Sequence, residues 1–153
     1  PLLDEVLELL PSSLVINVEL KCEGADDRGL TVALGRLLER RSEGERIVVS
    51  SFNPLCLLRL AAAFPRLKRG LLLDPDRPWF SQAHLWQPLV GRDSVHPHHS
   101  HCTPARVQAW RSRGLQVAAW TVDDAKLARS LAQMGVDLLI TNRPGRLRSA
   151  LEG

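Results

Sequence analysis

The stretch LQVAAWTVDDAKLARSLAQMGVDLLIT, residues 115–141, decides the predicted fold. It opens with the apolar run LQVAAW and closes with a second run, DLLIT. Between the two runs, Leu127, Leu131 and Met134 recur at helical spacing, so they share one face of a helix. The stretch therefore predicts a strand, an amphipathic helix and a second strand.

Apolar runs of the same kind recur on the N-terminal side of this unit. Continuous rather than alternating apolar strands, separated by amphipathic helices, are typical of a parallel sheet covered on both faces. Helical spacing also joins Val107 to Trp110, and Val6 to Leu9 and Leu10. We therefore predict an α/β fold. The remaining strand candidates are residues 14–20, 47–49 and 70–73 and the neighbours of Val95.

The composition indicates an ordinary globular chain of 153 residues, with 44% hydrophobic and 24% charged residues. This length suits one domain or part of one. The formal charge of +3 is spread along the chain, so no nucleic-acid partner is implied. Cys22, Cys56 and Cys102 are odd in number and far apart, which favours free, mostly buried thiols. Without a long apolar run or a leader pattern, we expect no membrane span and a cytoplasmic location.

Helix-start signals follow several of the predicted strands. Asn53 and Thr103 are good N-cap residues, and each is followed by a proline suited to the first helical turn. Asp123 is a candidate cap for the helix that runs to Met134, and Gly135 can end that helix. The positive ends of these helices would face one rim of the sheet and favour a phosphate there. Any parallel α/β fold has such a rim, so this feature alone does not identify a phosphate site.

The first predicted strand ends in a charged pair, in the sequence VINVELK. Glu19 and Lys21 are two residues apart, so strand geometry directs both side chains to the same face. On an interior face, Glu19 would be an oxygen ligand for a divalent cation and Lys21 a charge for a phosphate oxygen. The alternative is a structural Glu–Lys pair or a strand end that faces solvent.

Five segments in order carry a resemblance to a known family. NVELK, VVSSFNP, GLLL, HPHHSHCTPARVQAWRSRGLQVAAWTVDD and GVDLLITNRPGRL resemble strands 3 to 8, with their flanking segments, of glycerophosphodiester phosphodiesterases. The resemblance covers nearly the whole chain. Its most specific parts are the E-x-K strand, the W-T-V-D strand end and the closing G-V-D-L-L-I-T-N-R-P segment.

The resemblance implies a TIM-type (β/α)8 barrel, of which residues 1–153 would supply about six βα units as a single incomplete domain. It implies hydrolysis of glycerophosphodiesters to glycerol 3-phosphate and an alcohol with Mg²⁺ or Ca²⁺, in lipid and glycerol metabolism. Glu19 would be the third metal carboxylate, and Lys21 would contact the phosphate. Phe52 would lie on a pocket wall, and Trp120 would pack against the glycerol or leaving group.

The sequence departs from the family pattern in one respect. An H-R motif, an E-x-D pair and an H-D motif, which should carry both catalytic histidines and two metal carboxylates, do not occur in it. We therefore expect no catalytic acid–base pair in this chain and negligible activity of the chain alone. Two alternatives stay open: a non-catalytic barrel fragment that acts as an interaction or folding module, and another phosphate-handling barrel such as an isomerase or synthase.

Four histidines, His96, His98, His99 and His101, cluster in one short segment. Two of their imidazoles could share a metal ion or replace the absent catalytic pair. The interpretation that we favour is a solvated rim loop.

Residues 74–93 predict a long loop with one short helix. Its aromatic residues Trp79, Phe80 and Trp86 could cover the pocket as a lid, but a cap on the side of the barrel is favoured. Six strands would leave two unpaired edges. We expect the missing N-terminal segment or a second copy of the chain to complete the sheet, the alternative being a monomer whose gap this loop fills.

Overall fold

The sheet of the protein consists of parallel strands that lie side by side in chain order. The structure, a computed structural model, describes residues 2–22, 24–41, 44–76, 86–90 and 92–152. The six strands of this described part are β1 Ile16–Glu19, β2 Ile47–Ser51, β3 Lys68–Leu73, β4 Ser94–Pro97, β5 Gln116–Ala119 and β6 Leu138–Leu139. Its α-helices are α1 Leu3–Leu9, α2 Leu30–Arg40, α3 Pro54–Ala63, α4 Gln87–Val90, α5 Pro104–Arg111, α6 Ala125–Gln133 and α7 Pro144–Glu152. Short 3₁₀ turns lie at Gly44–Arg46 and His99–His101.

The predicted strand–helix alternation is confirmed, and helices cover one face of the sheet. Alternate residues of the central strands, such as Leu71, Leu73, Val95 and Val117, are buried in one cluster with residues of α3, α5 and α6. A second cluster joins the first two strands to the helices beside them; its fully buried members include Leu7, Leu38, Ile47 and Val49. Both clusters lie between sheet and helices, as expected for parallel strands joined by helical crossovers.

The opposite face of the sheet is concave. Phe52 follows β2 and Trp120 follows β5, with two strands between them. Across a flat sheet these positions would be about 14 Å apart, because strands are spaced about 4.8 Å. The two ring centroids are instead 5.4 Å apart. The sheet is therefore strongly curved and forms a half-barrel.

The sheet has two open edges within the part of the chain that the structure describes. There β1 pairs with β2 alone, and β6 pairs with β5 alone. The expectation of two unpaired edges is thus confirmed for these residues. Apolar side chains lie beside both edges: Val15 is 70% exposed and Leu138 is 47% exposed.

Some sequence expectations need correction or fall outside the description. In α1 the buried residue is Leu7, whereas Leu9, which had been expected on the apolar face, is 84% exposed. The short helix expected within residues 74–93 is confirmed as α4, and Trp86 before it packs half-buried against the larger cluster, as a cap on the side of the barrel would. Trp79 and Phe80 lie outside the described residues.

The three cysteines are free thiols, two of them buried and Cys22 partly buried. This agrees with the expectation from the sequence. Among the described residues, no helix combines the length and the apolar character that a bilayer crossing requires.

Candidate active site

All four predicted site residues lie at one rim, where the carboxyl ends of the parallel strands meet. Glu19 is the last residue of β1 and Lys21 follows two positions later. Phe52 comes directly after β2, and Trp120 directly after β5. In (β/α)-type sheets this rim is where ligands bind, because the loops and helix starts converge there.

Leu20 fixes the strand end that carries the charged pair. Its side chain is buried, its N–H donates to the Ser50 carbonyl at 2.7 Å, and its carbonyl accepts the Ser51 hydroxyl at 2.7 Å. Because side chains alternate along a strand, Glu19 and Lys21 point away from the core that buries Leu20. Both are exposed. Neither side chain forms an ion pair or a hydrogen bond with another described residue, so a structural Glu–Lys pair is not observed there.

Lys21 also lines a rim cavity of about 910 Å³ beside the start of α2; the other lining residues are Cys22, Ala25, Asp26, Asp27, Arg28, Gly29, Leu30 and Ala33. Asn53 holds the wall of this cavity, since its side-chain amide donates to the carbonyls of Gly24 at 2.6 Å and Cys22 at 3.4 Å. Burial, followed by the Cys56 thiol, raises the pKa of Cys22 to about 12. The Cys22 thiol therefore stays protonated near neutral pH and is not a nucleophile.

Aromatic rings form a corner on the same rim. Phe52 and Trp120 meet edge to face, with an interplanar angle of 88°. His98 also packs against Trp120, with 5.0 Å between the ring centroids and an interplanar angle of 74°. Phe52 remains 43% exposed. The structure thus brings together two of the four predicted site residues in a partly open apolar wall.

Trp120 is held at its backbone and its side chain. Its N–H donates to the Pro97 carbonyl at 3.1 Å, and its carbonyl accepts the His99 N–H at 2.8 Å. The indole Nε1–H donates to the backbone carbonyl of His96 at 2.8 Å. The peptide bond between Trp120 and Thr121 is cis. The three hydrogen bonds fix the orientation of the Trp120 ring in the aromatic corner.

The histidine segment is not the solvated loop that the sequence suggested. His96 belongs to β4 and is 3% exposed, and His101 is 8% exposed. The error arises because β4 extends through the first histidine and turns its side chain onto the concave face, where neighbouring strands cover it. Burial lowers the pKa of His96 to about 4, so its imidazole is neutral near physiological pH.

Asp123 joins the last two strand ends instead of capping α6. Its carboxylate accepts the Thr141 hydroxyl at 2.8 Å and the Asn142 backbone N–H at 2.8 Å. Asp124 is the N-cap, accepting the N–H of Leu127 at 2.8 Å. The predicted cap was therefore wrong by one residue, because partners on the next strand end bind the Asp123 carboxylate. The other predicted caps, Asn53 and Thr103, are confirmed.

The described residues do not by themselves fit a divalent-metal site. No three His, Cys, Asp or Glu side chains in this part of the chain lie close enough to hold one ion. Glu19 is the candidate carboxylate at the rim, and the two carboxylate oxygens of Asp123 are bound to Thr141 and Asn142.

Sequence reasoning missed two residues of this site. His96 was included only as part of a loop, and Asp123 only as a helix cap. Two signals could have located His96: it directly follows Val95, a predicted strand residue, and it lies two residues after Ser94, so that both would face the same side of a strand. Nothing local in the sequence identifies the partners of Asp123, which lie about 20 residues further along the chain.

Comparison with known proteins gives the family. Residues 1–146 match the model of the glycerophosphoryl diester phosphodiesterase family, and the chain belongs to this family. A glycerophosphodiester phosphodiesterase of Caldanaerobacter subterraneus is 29% identical over 150 residues, which cover 96% of this chain and 60% of the relative. The chain thus spans about three-fifths of the length of such relatives.

Solved structures agree with this assignment. A Silicibacter pomeroyi protein assigned as a glycerophosphoryl diester phosphodiesterase superposes with a TM-score of 0.85 at 26% identity, over 98% of this chain and 55% of that one. An Oleispira antarctica phosphodiesterase, solved in complex with the product sn-glycerol 3-phosphate, gives a TM-score of 0.72 at 26% identity. That match covers 90% of this chain and 55% of the other. The resemblance found in the sequence is therefore confirmed at the level of family and fold.

Proposed function

We propose that this chain is the substrate-binding part of a phosphodiesterase that hydrolyses glycerophosphodiesters to glycerol 3-phosphate and an alcohol. The observation that carries the proposal is the meeting of Phe52 and Trp120, 5.4 Å apart, on the rim that also bears Glu19 and Lys21. This combination offers an apolar wall for a glycerol backbone and, on the same rim, an ammonium that has no ion pair with a described residue and can bind a phosphate. The family membership supports the choice of substrate.

Each of the four residues has a distinct proposed role. The Lys21 ammonium, free of any ion pair with the described residues, neutralises a phosphate oxygen. Phe52 and Trp120 exclude water from one side of the bound glycerol and orient it, which raises the effective concentration of the reacting groups. Glu19 would be one ligand of a divalent ion, Mg²⁺ or Ca²⁺, whose further ligands lie outside the described residues. Such an ion would stabilise negative charge on the phosphate.

The isolated chain should hydrolyse these substrates negligibly. An acid and a base within hydrogen-bond reach of the scissile bond contribute roughly 10²–10⁴-fold each. His96 is a poor candidate for either role, because it is 3% exposed and its Nε2 shares a hydrogen bond with Ser94. His98 is partly buried, and burial and the neighbouring His99 and His101 lower its pKa. The Nδ1 atom of His98 shares a hydrogen bond of 2.8 Å with the Ser100 hydroxyl.

We further propose that the six strands correspond to strands 3 to 8 of an eight-stranded barrel. Two more strands would pair with β1 and β6 and close the sheet. Either a separate N-terminal segment or a second copy of this chain would supply them. The open edges and the coverage of only 60% of a curated relative support this proposal.

The test of the proposed binding role is a calorimetric titration of the chain with sn-glycerol 3-phosphate. We expect weak, saturable binding that Lys21→Ala removes. Lys68→Ala is the matched control, because Lys68 is the first residue of β3 and lies at the end of the sheet opposite the rim. No binding by the wild-type chain, or equal binding by the two variants, would contradict the proposal.

The hydrolytic role needs a separate assay with glycerophosphocholine. We expect no measurable product from the purified chain, with or without Mg²⁺ or Ca²⁺. Turnover that survives repurification and stops on chelation would show that the chain holds a complete catalytic set, and the proposed division of roles would then be wrong.

A further inference from the structure

A buried cluster of three residues lies beneath the aromatic corner, on the concave face of the sheet. It consists of Gly70 on β3 and of the polar residues Ser94 and His96 on β4. Cα pairing places Gly70 opposite Ser94, and His96 is the next β4 residue that faces the same side. Both polar side chains are almost fully buried, Ser94 at 2% and His96 at 3% exposure.

Gly70 leaves the space that the His96 ring occupies. A Cβ atom at position 70 would lie 2.5 Å from the Nε2 of His96 and 2.5 Å from the Oγ of Ser94. Real Cβ atoms do not approach other heavy atoms this closely, so glycine is the residue that allows the imidazole to lie against β3. The ring is therefore confined by the neighbouring backbone.

Ser94 fixes the ring in the plane that this space allows. Its Oγ and the His96 Nε2 share a hydrogen bond of 2.9 Å. A buried hydrogen bond between two groups that water cannot reach is costly to break, because each partner would be left without a substitute. The Nε2 end of the His96 ring is thus held both by the close backbone of β3 at Gly70 and by the hydrogen bond with Ser94.

His96 is also the residue that receives the Trp120 side chain. Its backbone carbonyl accepts the indole N–H at 2.8 Å. The indole ring in turn contacts Phe52, with 5.4 Å between ring centroids. The β3–β4 pairing and the packing of the His96 side chain together set the position of this carbonyl, and the carbonyl sets the orientation of the indole ring.

We propose that His96 is a positioning residue for Trp120, anchored by Ser94 and by the space above Gly70. The inference rests on the proposed function in one respect, the role of Trp120 as a wall of the substrate site. His96 does not touch substrate in this arrangement. It keeps the indole ring in one orientation, so that the aromatic corner is formed before a ligand binds.

The test follows the indole N–H of Trp120 by NMR in the ¹⁵N-labelled chain. Four tryptophans give four indole signals, and Trp120→Phe assigns the relevant one. Ser94→Ala should speed hydrogen exchange of this N–H by about five-fold. This is the effect expected when the buried hydrogen bond from the indole N–H to the His96 carbonyl is weakened. Gly70→Ala should move the signal and speed its exchange further.

Ser50→Ala is the matched control. Ser50 is a fully buried serine on β2 opposite Gly70, and its hydroxyl has no hydrogen-bond partner among the residues that the structure describes. This variant should leave the Trp120 signal unchanged. The buried indole of Trp110 is an internal reference, because general loosening of the fold would speed its exchange as well. Unchanged Trp120 exchange in Ser94→Ala, or equal acceleration at Trp110, would overturn the proposal.

Titration with sn-glycerol 3-phosphate separates this inference from the proposed function. If the wild-type chain binds, Ser94→Ala should weaken binding several-fold and Ser50→Ala should not; equal binding by both would overturn the positioning role. If the wild-type chain does not bind, the proposed function is contradicted. The exchange measurement then still decides whether His96 positions Trp120.

Discussion

Asp123 and Asn142 are joined by two hydrogen bonds: the Asn142 backbone N–H donates to Oδ1 at 2.8 Å and its side-chain amide donates to Oδ2 at 3.0 Å. Thr141 adds a third bond to the same carboxylate at 2.8 Å. The pair connects the segment after β5, which begins with Trp120, to the segment between β6 and α7. These two segments contain the W-T-V-D and I-T-N-R-P motifs. One carboxylate therefore links the two motifs in space.

The first prediction concerns this carboxylate. Asp123→Asn should lower the melting temperature by a few degrees. The new side-chain NH₂ group would face the NH₂ group of Asn142, so a donor would meet a donor in place of an acceptor. Glu39→Gln, at an exposed position of α2, is the charge-matched control and should have almost no effect. Differential scanning calorimetry at pH 7 is the measurement. Equal melting temperatures for both variants would show that the three bonds add nothing.

The Asp123 carboxylate should also make the stability of the fold depend on pH in the acidic range. Hydrogen bonds from Asn142, first from its side chain and then from its backbone, and from Thr141 lower the pKa of Asp123 below its usual value. A lowered carboxyl pKa contributes stability above the unfolded pKa of about 3.9, and this is lost as pH falls through the folded value. The melting-temperature gap between wild type and Asp123→Asn should therefore narrow below about pH 4.

A second pH prediction follows from His96. Burial lowers its pKa from 6.5 to about 4, so the unfolded chain binds a proton that the folded chain excludes between these values. The folded state should lose up to about 3 kcal/mol as pH falls from above 6.5 to about 4. Urea unfolding at several pH values measures this slope.

His96→Gln should flatten that slope, and His99→Gln, which keeps the buried imidazole of His96, should flatten it much less. Part of the slope should persist in His96→Gln, because burial and the neighbouring His99 and His101 also lower the pKa of His98. An identical slope in wild type and His96→Gln would contradict the assignment of the effect to His96.

The sequence predicts the sheet well because its strands carry strong local signals. Buried parallel strands are continuous apolar runs, and each of the six runs that the sequence indicates overlaps an observed strand. Helix α2 was not singled out. Its sequence is charged and contains Gly35, which reads as a helix breaker. In the structure the Phe64 ring lies against Gly35, where any Cβ would collide with it, so tertiary packing explains the glycine.

The site is predictable only where its residues follow a strand directly. Glu19 and Lys21 were singled out because they come at a strand end, whereas the choice of Phe52 and Trp120 and the roles of all four residues came from the resemblance to a family. The anchors of these residues are not local. The Trp120 indole binds the backbone of His96, 24 residues earlier, and nothing in the sequence around either residue indicates this contact.

A third prediction tests the aromatic corner. Trp120→Ala should weaken binding of sn-glycerol 3-phosphate by about ten-fold, or about 1.4 kcal/mol, because the apolar wall is lost. Trp120→Phe should weaken it less, since a ring remains beside Phe52. Calorimetric titration of the chain measures both. A stronger effect from Trp120→Phe than from Trp120→Ala would be inconsistent with an apolar wall.

The fourth prediction concerns metal affinity. Glu19 is an exposed carboxylate without a companion ligand set among the described residues, and Mg²⁺ gives up water reluctantly. We expect millimolar or weaker Mg²⁺ and Ca²⁺ binding by the isolated chain. Calorimetry on wild type and Glu19→Gln checks this expectation. Tight binding that Glu19→Gln abolishes would mean that further ligands in this chain complete the site.

The last prediction concerns the two open edges of the sheet. Within the described residues, β1 and β6 each have one neighbour, and apolar side chains such as Val15 and Leu138 are exposed beside them. Unpaired backbone groups and exposed apolar side chains at a sheet edge favour pairing with another chain. With no other segment present, the isolated chain should therefore self-associate, and light scattering coupled to size exclusion should give a mass of at least twice 17.0 kDa. Val15→Lys should shift this distribution toward the monomer, because a charge on an edge opposes pairing, whereas Val32→Lys on the exposed side of α2 should not. A monodisperse monomer that unfolds cooperatively and binds no hydrophobic dye would show that the edges are covered within the chain itself.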